Sequence, residues 1–561
     1  MKRDISEFRG KVFDVAIIGG GIYGVTAAWD AALRGLRVAL VEKGDFGGAT
    51  SSNSLKIIHG GLRYLQHADF KRMRESIAER RILMHIAPHF VNPLPCVMPT
   101  YGHALKGKEV MSIALYLNDL VGYDRNGLAD PGKFMPNGHL VTKDQMKQIV
   151  PGIEETNLNG GAVWYDCQVH NSERLLMSFL RSAVSRGAVA ANYLEMTHFN
   201  IEDSRVKGIA VCDVLSGEKF DIAAKVVINN SGPWYNDIVS RLNGNSPVKK
   251  VQLSAAMNLV VRKKLFQKYA VGISSKRQFK DDDALINKGS RLFFVTPWKN
   301  WSLIGTTHVH HEGSIDDFNV TEADIQIFLD EMNAAYPPAN LKREDVLYHY
   351  AGLLPMESEN PKTGDVKLLK SFQIIDHATE NGLEGLLSII SVKYTTARDV
   401  AEKTIDQACR KLQKELKSAS RSTVLFGGQI SHLEEYLYKE ATRSKAGLSE
   451  ATIAHLVQNY GSEYQRVVRY LEERKMMREP VSQESSVLKA EIIHAVREEM
   501  AMRLQDVIRR RTDLGNGAYP GDRITKNVGK VMQKELGWDK VQLEQEIDET
   551  RNLYSPKDLR S

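Results

Sequence analysis

Along the first forty residues the apolar positions change period twice. VFDVAII (12–18) is a short, continuous, β-branched run bounded by glycine, the pattern of a strand buried on both faces. From Ile22 to Arg34 the spacing becomes helical and stops at Gly35, and LRVALVE (36–42) predicts a second buried strand. A helix over 172–186 and strands around Ala188, Val206 and Val226 return to the same character. Between 245 and 345 the pattern differs. LSAAMNLVV, SRLFFVTP and WSLIGTT read as strands of a second sheet, followed by a helix from Thr321 to Ala335 that Thr321 caps with Asp324 three residues on. KELKSASRS (414–422) reads as a polar linker, and the remainder is strongly helical.

With 561 residues, two or three structural units are expected. The 75 basic residues are nearly balanced by 69 acidic ones, and the net charge of +6 is spread along the chain, which excludes the concentrated basic footprint of a nucleic-acid binder. Four separated cysteines without a CxxC suggest neither zinc site nor disulfide framework and fit a reducing, cytoplasmic compartment. The N-terminus lacks a signal-peptide core, and no run of about twenty apolar residues predicts a spanning helix. Peripheral membrane attachment stays open.

The chemistry begins at the first strand's end. Gly19, Gly21 and Gly24 form GxGxxG between strand and helix: the first allows a tight turn, the second lets backbone approach a pyrophosphate, and the third permits close helix–strand packing. Glu42 closes the second strand about twenty residues on, where a carboxylate accepts ribose hydroxyls and disfavours a 2′-phosphate. Two cofactors, FAD and NAD, satisfy this much. Lys43 and the stretch TSSNSLKIIHGGLRYL (50–65) decide for FAD. Thr50, Ser51 and Ser52 supply hydroxyls and amides to a pyrophosphate's other side, and Gly60 and Gly61 let backbone lie flat on a ring system.

GGGIYG, VEKGDFGGATSS, SLKIIHGGLRYL, INNSGPWYND, FFVTPWKNWSLIGTTH, VKYTTARDVAE and EIIHAVREEMAMRLQDVIRRRTDLG together resemble the FAD-dependent glycerol-3-phosphate dehydrogenase family, within the amine-oxidase-like flavoproteins. The likeness covers nearly the whole chain. It implies an α/β fold: a discontinuous Rossmann-like, glutathione-reductase-type FAD domain (1–105, 155–244 and 346–412) and an α+β antiparallel-sheet substrate domain (106–154 and 245–345). A linker (413–422) and an all-α C-terminal domain (423–561) follow. The implied activity is oxidation of sn-glycerol 3-phosphate to dihydroxyacetone phosphate, with the C2 hydride going to flavin N5 and electrons to membrane quinone or, in the oxidase branch, oxygen. The resemblance is compatible with a homodimer and with peripheral attachment at the inner face of the cell membrane. Ser231, Gly232, Lys393 and Thr395 join the residues expected around FAD; His59, Tyr64, His308 and Lys393 are candidates for catalysis, and Arg63, Tyr64, Asn258, Lys370 and Lys393 for substrate binding. His308, His310 and His311 invite a metal reading, but with no third ligand evident a strand-end lining is favoured and no metal is expected.

The chain departs from the family pattern on one side of the site. Ala255-Ala256-Met257-Asn258 replaces Lys-Gly-x-His, Leu354 replaces an arginine, His308 replaces an aspartate, Ser391-Val392-Lys393 replaces Gly-Gly-Lys, and Lys370 stands at a further arginine position. A phosphate dianion prefers bidentate cations, which lysine does not supply. Asn258 cannot take a proton, so the general base falls to His59 or His308. Three readings stand: a glycerol-3-phosphate dehydrogenase with a rearranged phosphate pocket, a paralogous FAD dehydrogenase or oxidase of another small hydroxy acid, polyol or amine, and a flavin-binding protein without turnover.

Overall fold

The computed structural model describes residues 1–102, 107–242, 250–278, 290–360, 364–443 and 447–559. The domain boundaries expected at 105/106 and 244/245 lie outside them.

An eight-stranded sheet carries the predicted opening. Val12–Ile18 is its centre, parallel to Val38–Val41 on one side and Lys219–Asn229 on the other, with Val15 opposite both Val38 and Val226. Helices Ile22–Leu33 and Ser172–Ser185 cover one face, where Trp29 and Phe179 meet edge to face at 5.4 Å. Both faces are therefore buried, which is why these strands carry uninterrupted apolar runs.

The second sheet has ten strands and draws on more of the chain than the pattern suggested. Ile57–Ile58, Val91–Tyr101, Leu158–Val169, Val346–Glu359 and Val366–Leu368, grouped with the FAD domain in the sequence reading, all hydrogen-bond into it. Local pattern could not reveal this, because a strand's sheet is set by its partner, and Val91 pairs with Val169 across a long separation. Prolines 93, 95 and 99 share one side of their strand, where they remove ladder donors. Pairing on that side reaches only Cys96 and Val97, while the ladder to Leu158–Val169 runs from Val91 to Tyr101. Helix Glu322–Ala335 packs on this sheet through Ile325, Phe328, Leu329 and Met332, and its Thr321–Asp324 capping box is present.

The C-terminal helices have their own core but are tied to the rest by buried charge. Asp45, in the loop after the second strand, takes Arg511 at 2.6 Å and Arg510 at 2.5 Å, and Arg510 also reaches Asp506 at 2.7 Å. Arg511 holds the Asp45 carboxyl down at about 2, with Arg510 adding to the effect, against the opposing cost of burial. Among the described residues no helix is long and apolar enough to cross a membrane.

Candidate active site

The two sheets enclose a cavity of about 2160 Å³. On the first wall, the turn after Val12–Ile18 demands glycine for steric reasons. A Cβ on Gly19 (φ +99°) would lie 2.5 Å from the Asn230 carbonyl oxygen, and one on Gly24 would lie 1.8 Å from that of Gly19. Gly19 and Gly21 line the cavity, whereas Gly24 sits behind them, where the helix crosses the strand. At the helix N-terminus the Ile22 amide donates to Ser51 Oγ at 2.9 Å. Glu42 lines the cavity too, but its two oxygens accept from the Gly20 amide at 2.7 Å and the Gly44 amide at 2.9 Å, and burial pushes its carboxyl upward.

The hydroxyl stretch divides. Thr50 and Ser51 line the cavity, and Thr50 is tethered to the second sheet through the Leu353 carbonyl at 2.9 Å. Ser52 does not: it is buried behind the loop with its hydroxyl on the Ala49 carbonyl. The expected pyrophosphate contact from Ser52 is therefore corrected to a structural role. Gly60 is corrected likewise. It does not line the cavity, its amide donates to Asp166, and a Cβ there would come within 2.3 Å of Arg80 Nη1, so buried Arg80 explains the glycine. Gly61, with φ +83°, is at the cavity wall. Lys43 braces the rim: its ammonium lies 4.0 Å from the Trp234 ring centroid and 2.8 Å from Asp316, which also accepts from Trp234.

A dinucleotide bound here would meet polar atoms that lack other partners. The side-chain amide of Asn230 and the Ser231 hydroxyl are buried without hydrogen bonds among the described residues, although such atoms are normally satisfied. Together with the helix N-terminus, Gly232 and Thr395 at the wall, they fit a cofactor with phosphates, ribose hydroxyls and a flat ring.

Opposite, a cation-rich corner gathers around Tyr64. Lys393 Nζ lies 4.4 Å from the Tyr64 ring centroid and His59 5.9 Å, edge on. Burial lowers the Lys393 ammonium to about 8, with Arg72 and Arg63 adding to the fall. Burial likewise lowers His59 to about 4; Asp166 opposes the fall, while Lys393, Arg63 and Arg80 deepen it. Arg63 and Lys370 line the same cavity. On the second sheet, Asn258 accepts from the Thr306 hydroxyl at 2.7 Å, and His308 Nδ1 stands 3.5 Å from Ser254 Oγ. Leu354 lines this wall as an apolar residue. His310 is drawn to Glu359 at 2.7 Å, and among the described residues no three His, Cys, Asp or Glu side chains converge as metal ligands.

With this geometry established, known proteins resolve its class. The family described as FAD dependent oxidoreductase matches residues 14–385, and the C-terminal domain of alpha-glycerophosphate oxidase matches 418–543. A glycerol-3-phosphate dehydrogenase of Synechocystis is 31% identical, covering 97% of each chain. The chain belongs to the FAD-dependent glycerol-3-phosphate dehydrogenase family. The mitochondrial glycerol-3-phosphate dehydrogenase of Homo sapiens is 30% identical over 96% of this chain and 73% of its own length. The crystal structure of the Bacillus halodurans glycerol-3-phosphate dehydrogenase complexed with FAD is similar at TM-score 0.77, with 25% identity over 98% of this chain and 96% of that one.

Residues absent from the sequence reading complete this family member's site. Arg72 and Asp166 line the cavity, as do Gln505, Arg509 and Arg510 from the C-terminal domain. Arg72 reads as part of a surface helix, and Arg509 and Arg510 fall in the stretch EIIHAVREEMAMRLQDVIRRRTDLG, which reads as part of the helical C-terminal domain. The one available signal was three successive arginines, which a purely solvated helix does not need.

Proposed function

We propose that the protein oxidises the secondary alcohol of sn-glycerol 3-phosphate to the ketone of dihydroxyacetone phosphate. The observation that carries this reading is the pairing, in one cavity, of a neutral imidazole with an unpartnered Nδ1 and a corner of cations. The Gly19–Gly21 turn, Ser51, Asn230 and Ser231 would hold FAD, which when bound would supply a hydride acceptor. The chain's own residues do the rest. His59 takes the hydroxyl proton: burial and the nearby cations keep it neutral throughout the neutral pH range. The same effects weaken it as a base, and Lys393 offsets this by stabilising the oxyanion that develops as the proton leaves. The Tyr64 ring packs steeply inclined against His59 and holds the imidazole in place. Arg63 and Lys393 attract the phosphate, and Asn258 orients a hydroxyl but cannot accept its proton.

For the electron acceptor we favour a membrane quinone reached from a peripheral position. Helix Lys108–Val121 turns Val110, Met111 and Ala114 to the cavity and exposes Ile113, Tyr116 and Leu120 on its other side. An apolar outer stripe of this kind suits a lipid surface.

The test is anaerobic addition of glycerol 3-phosphate to the purified yellow holoprotein. Rapid bleaching of the flavin, with dihydroxyacetone phosphate formed when an artificial acceptor is present, is expected. Bleaching by another hydroxy acid, polyol or amine but not by this substrate would move the assignment to a paralogous reaction. Bleaching by dithionite alone would make the protein a non-catalytic flavin binder. Liposome flotation of Tyr116→Glu beside the parent protein tests the membrane surface.

A further inference from the structure

The cation corner holds more positive charge than its acids neutralise. Arg63, Arg72 and Lys393 all line the cavity, and the positive charges of Arg72 and Arg63 both act against the Lys393 ammonium. Two carboxylates oppose this, Asp69 and Glu75, and Glu75 is engaged by Lys403 at 3.2 Å.

Arg72 is built into this corner. It stands in the first turn of helix Phe70–Ile86, where its amide donates to the N-cap carboxylate of Asp69 at 2.9 Å, and its Nε donates to the same side chain. Nη1 donates to the Lys370 carbonyl at 2.8 Å. The guanidinium carbon lies 5.0 Å from the Tyr64 ring centroid, and the Lys393 ammonium also stacks on that ring. Nη2 makes no hydrogen bond among the described residues. The fork is thus held in position on two of its nitrogens, with a third donor to spare, in a cavity whose facing wall carries Leu354.

We infer that Arg72 is a specificity-determining residue that binds the substrate's phosphate, working with Arg63 and Lys393 across the Tyr64 ring. This rests on the function proposed above. Leu354 on the sheet strand offers the dianion no donor, whereas the start of the helix after the HGGLRY turn carries an oriented guanidinium with the directional donors that lysine lacks. Asp69 and the Lys370 carbonyl act as positioning groups for it.

The experiment compares FAD-loaded wild type, Arg72→Met and Arg72→Lys by calorimetric titration with inorganic phosphate and by steady-state kinetics with glycerol 3-phosphate and with glycerol. A charged hydrogen bond is worth roughly 1.5–3 kcal/mol, about ten- to a hundredfold in affinity. Phosphate affinity and KM for glycerol 3-phosphate are expected to worsen by about that factor in Arg72→Met, with smaller changes in kcat and in glycerol turnover and partial recovery in Arg72→Lys. Phosphate affinity within twofold of wild type in Arg72→Met overturns the inference. So does an equal loss of kcat/KM for glycerol accompanied by a lower Tm, which marks a purely structural arginine. If Arg72→Met does not fold, a Lys variant that binds phosphate as tightly as wild type overturns it equally. Wild type that binds phosphate in an Arg72-dependent way yet leaves glycerol 3-phosphate unoxidised overturns the proposed reaction and leaves the role of Arg72 standing.

Discussion

The two walls of the cavity recognise their ligands by different means. The first, built on Val12–Ile18 and helix Ile22–Leu33, works through backbone: an amide-rich helix N-terminus, glycines at which a Cβ would fall 1.8 and 2.5 Å from carbonyl oxygens, and a carboxylate that braces two amides. The second, built on Gln252–Val261, Trp301–His311 and Val346–Glu359, works through side chains: Asn258, His308 and Leu354. Backbone recognition tolerates few residue types, whereas side-chain recognition can be redistributed among neighbours, as inferred above for Arg72.

The sharpest way to break this contrast is to add one carbon to the first wall. Gly24→Ala places a Cβ against the Gly19 carbonyl, and the flavin-to-protein ratio after purification is expected to collapse, or the protein to become insoluble. A normal yellow holoprotein would refute the claim of steric necessity. Next in size, His59→Gln should keep its FAD and lose about 10²–10⁴ in kcat, the usual worth of a general base. A loss below tenfold, with a large one in His308→Gln, would transfer the base to the second wall. Third, Lys393 sits near 8 rather than at the ordinary lysine value, so it carries charge below that pH and loses it above. kcat/KM for the phosphorylated substrate is therefore expected to fall as pH rises through about 8, and a Lys393→Arg variant should move the fall upward.

A fourth prediction concerns a residue outside both walls. His89 is buried with neither ring nitrogen bonded among the described residues, and burial lowers it to about 3. Its neutral form is the folded form. The unfolded chain takes up the proton first, so its contribution is intact above about 6.5 and is lost as pH falls toward 3. His89→Leu should be neutral or stabilising at pH 7 and clearly more stabilising at pH 5, measured as the shift in urea midpoint. The smallest effect is expected at the rim. Lys43 is partly exposed, and Lys43→Met should change FAD affinity by only a few-fold, because exposed ion pairs contribute about 0–1 kcal/mol.

Legibility followed the same division. The GxGxxG turn, Glu42 and the first two strands could be read directly, since tight turns and buried parallel strands dictate residue type within a few positions. Ser52 and Gly60 were placed in the right loop but on its wrong face: orientation within an irregular loop depends on Arg80 and Asp166, which pack against it from other elements, and on the buried Lys56 within it. Arg72 was hidden because a charged residue in an amphipathic helix looks the same whether it meets water or a cavity.

By itself, the sequence determined the cofactor turn, the α/β class, the separate helical domain and the family, because each rests on local periodicity or on backbone geometry that few residues satisfy. Tertiary structure alone decided which strands make the second sheet, that Asp45 binds Arg510 and Arg511 of the C-terminal domain, and that Lys393 joins Arg72 at the Tyr64 ring. These are pairings between distant segments. Their energies come from partner and burial, and neither is encoded in the spacing of neighbouring residues.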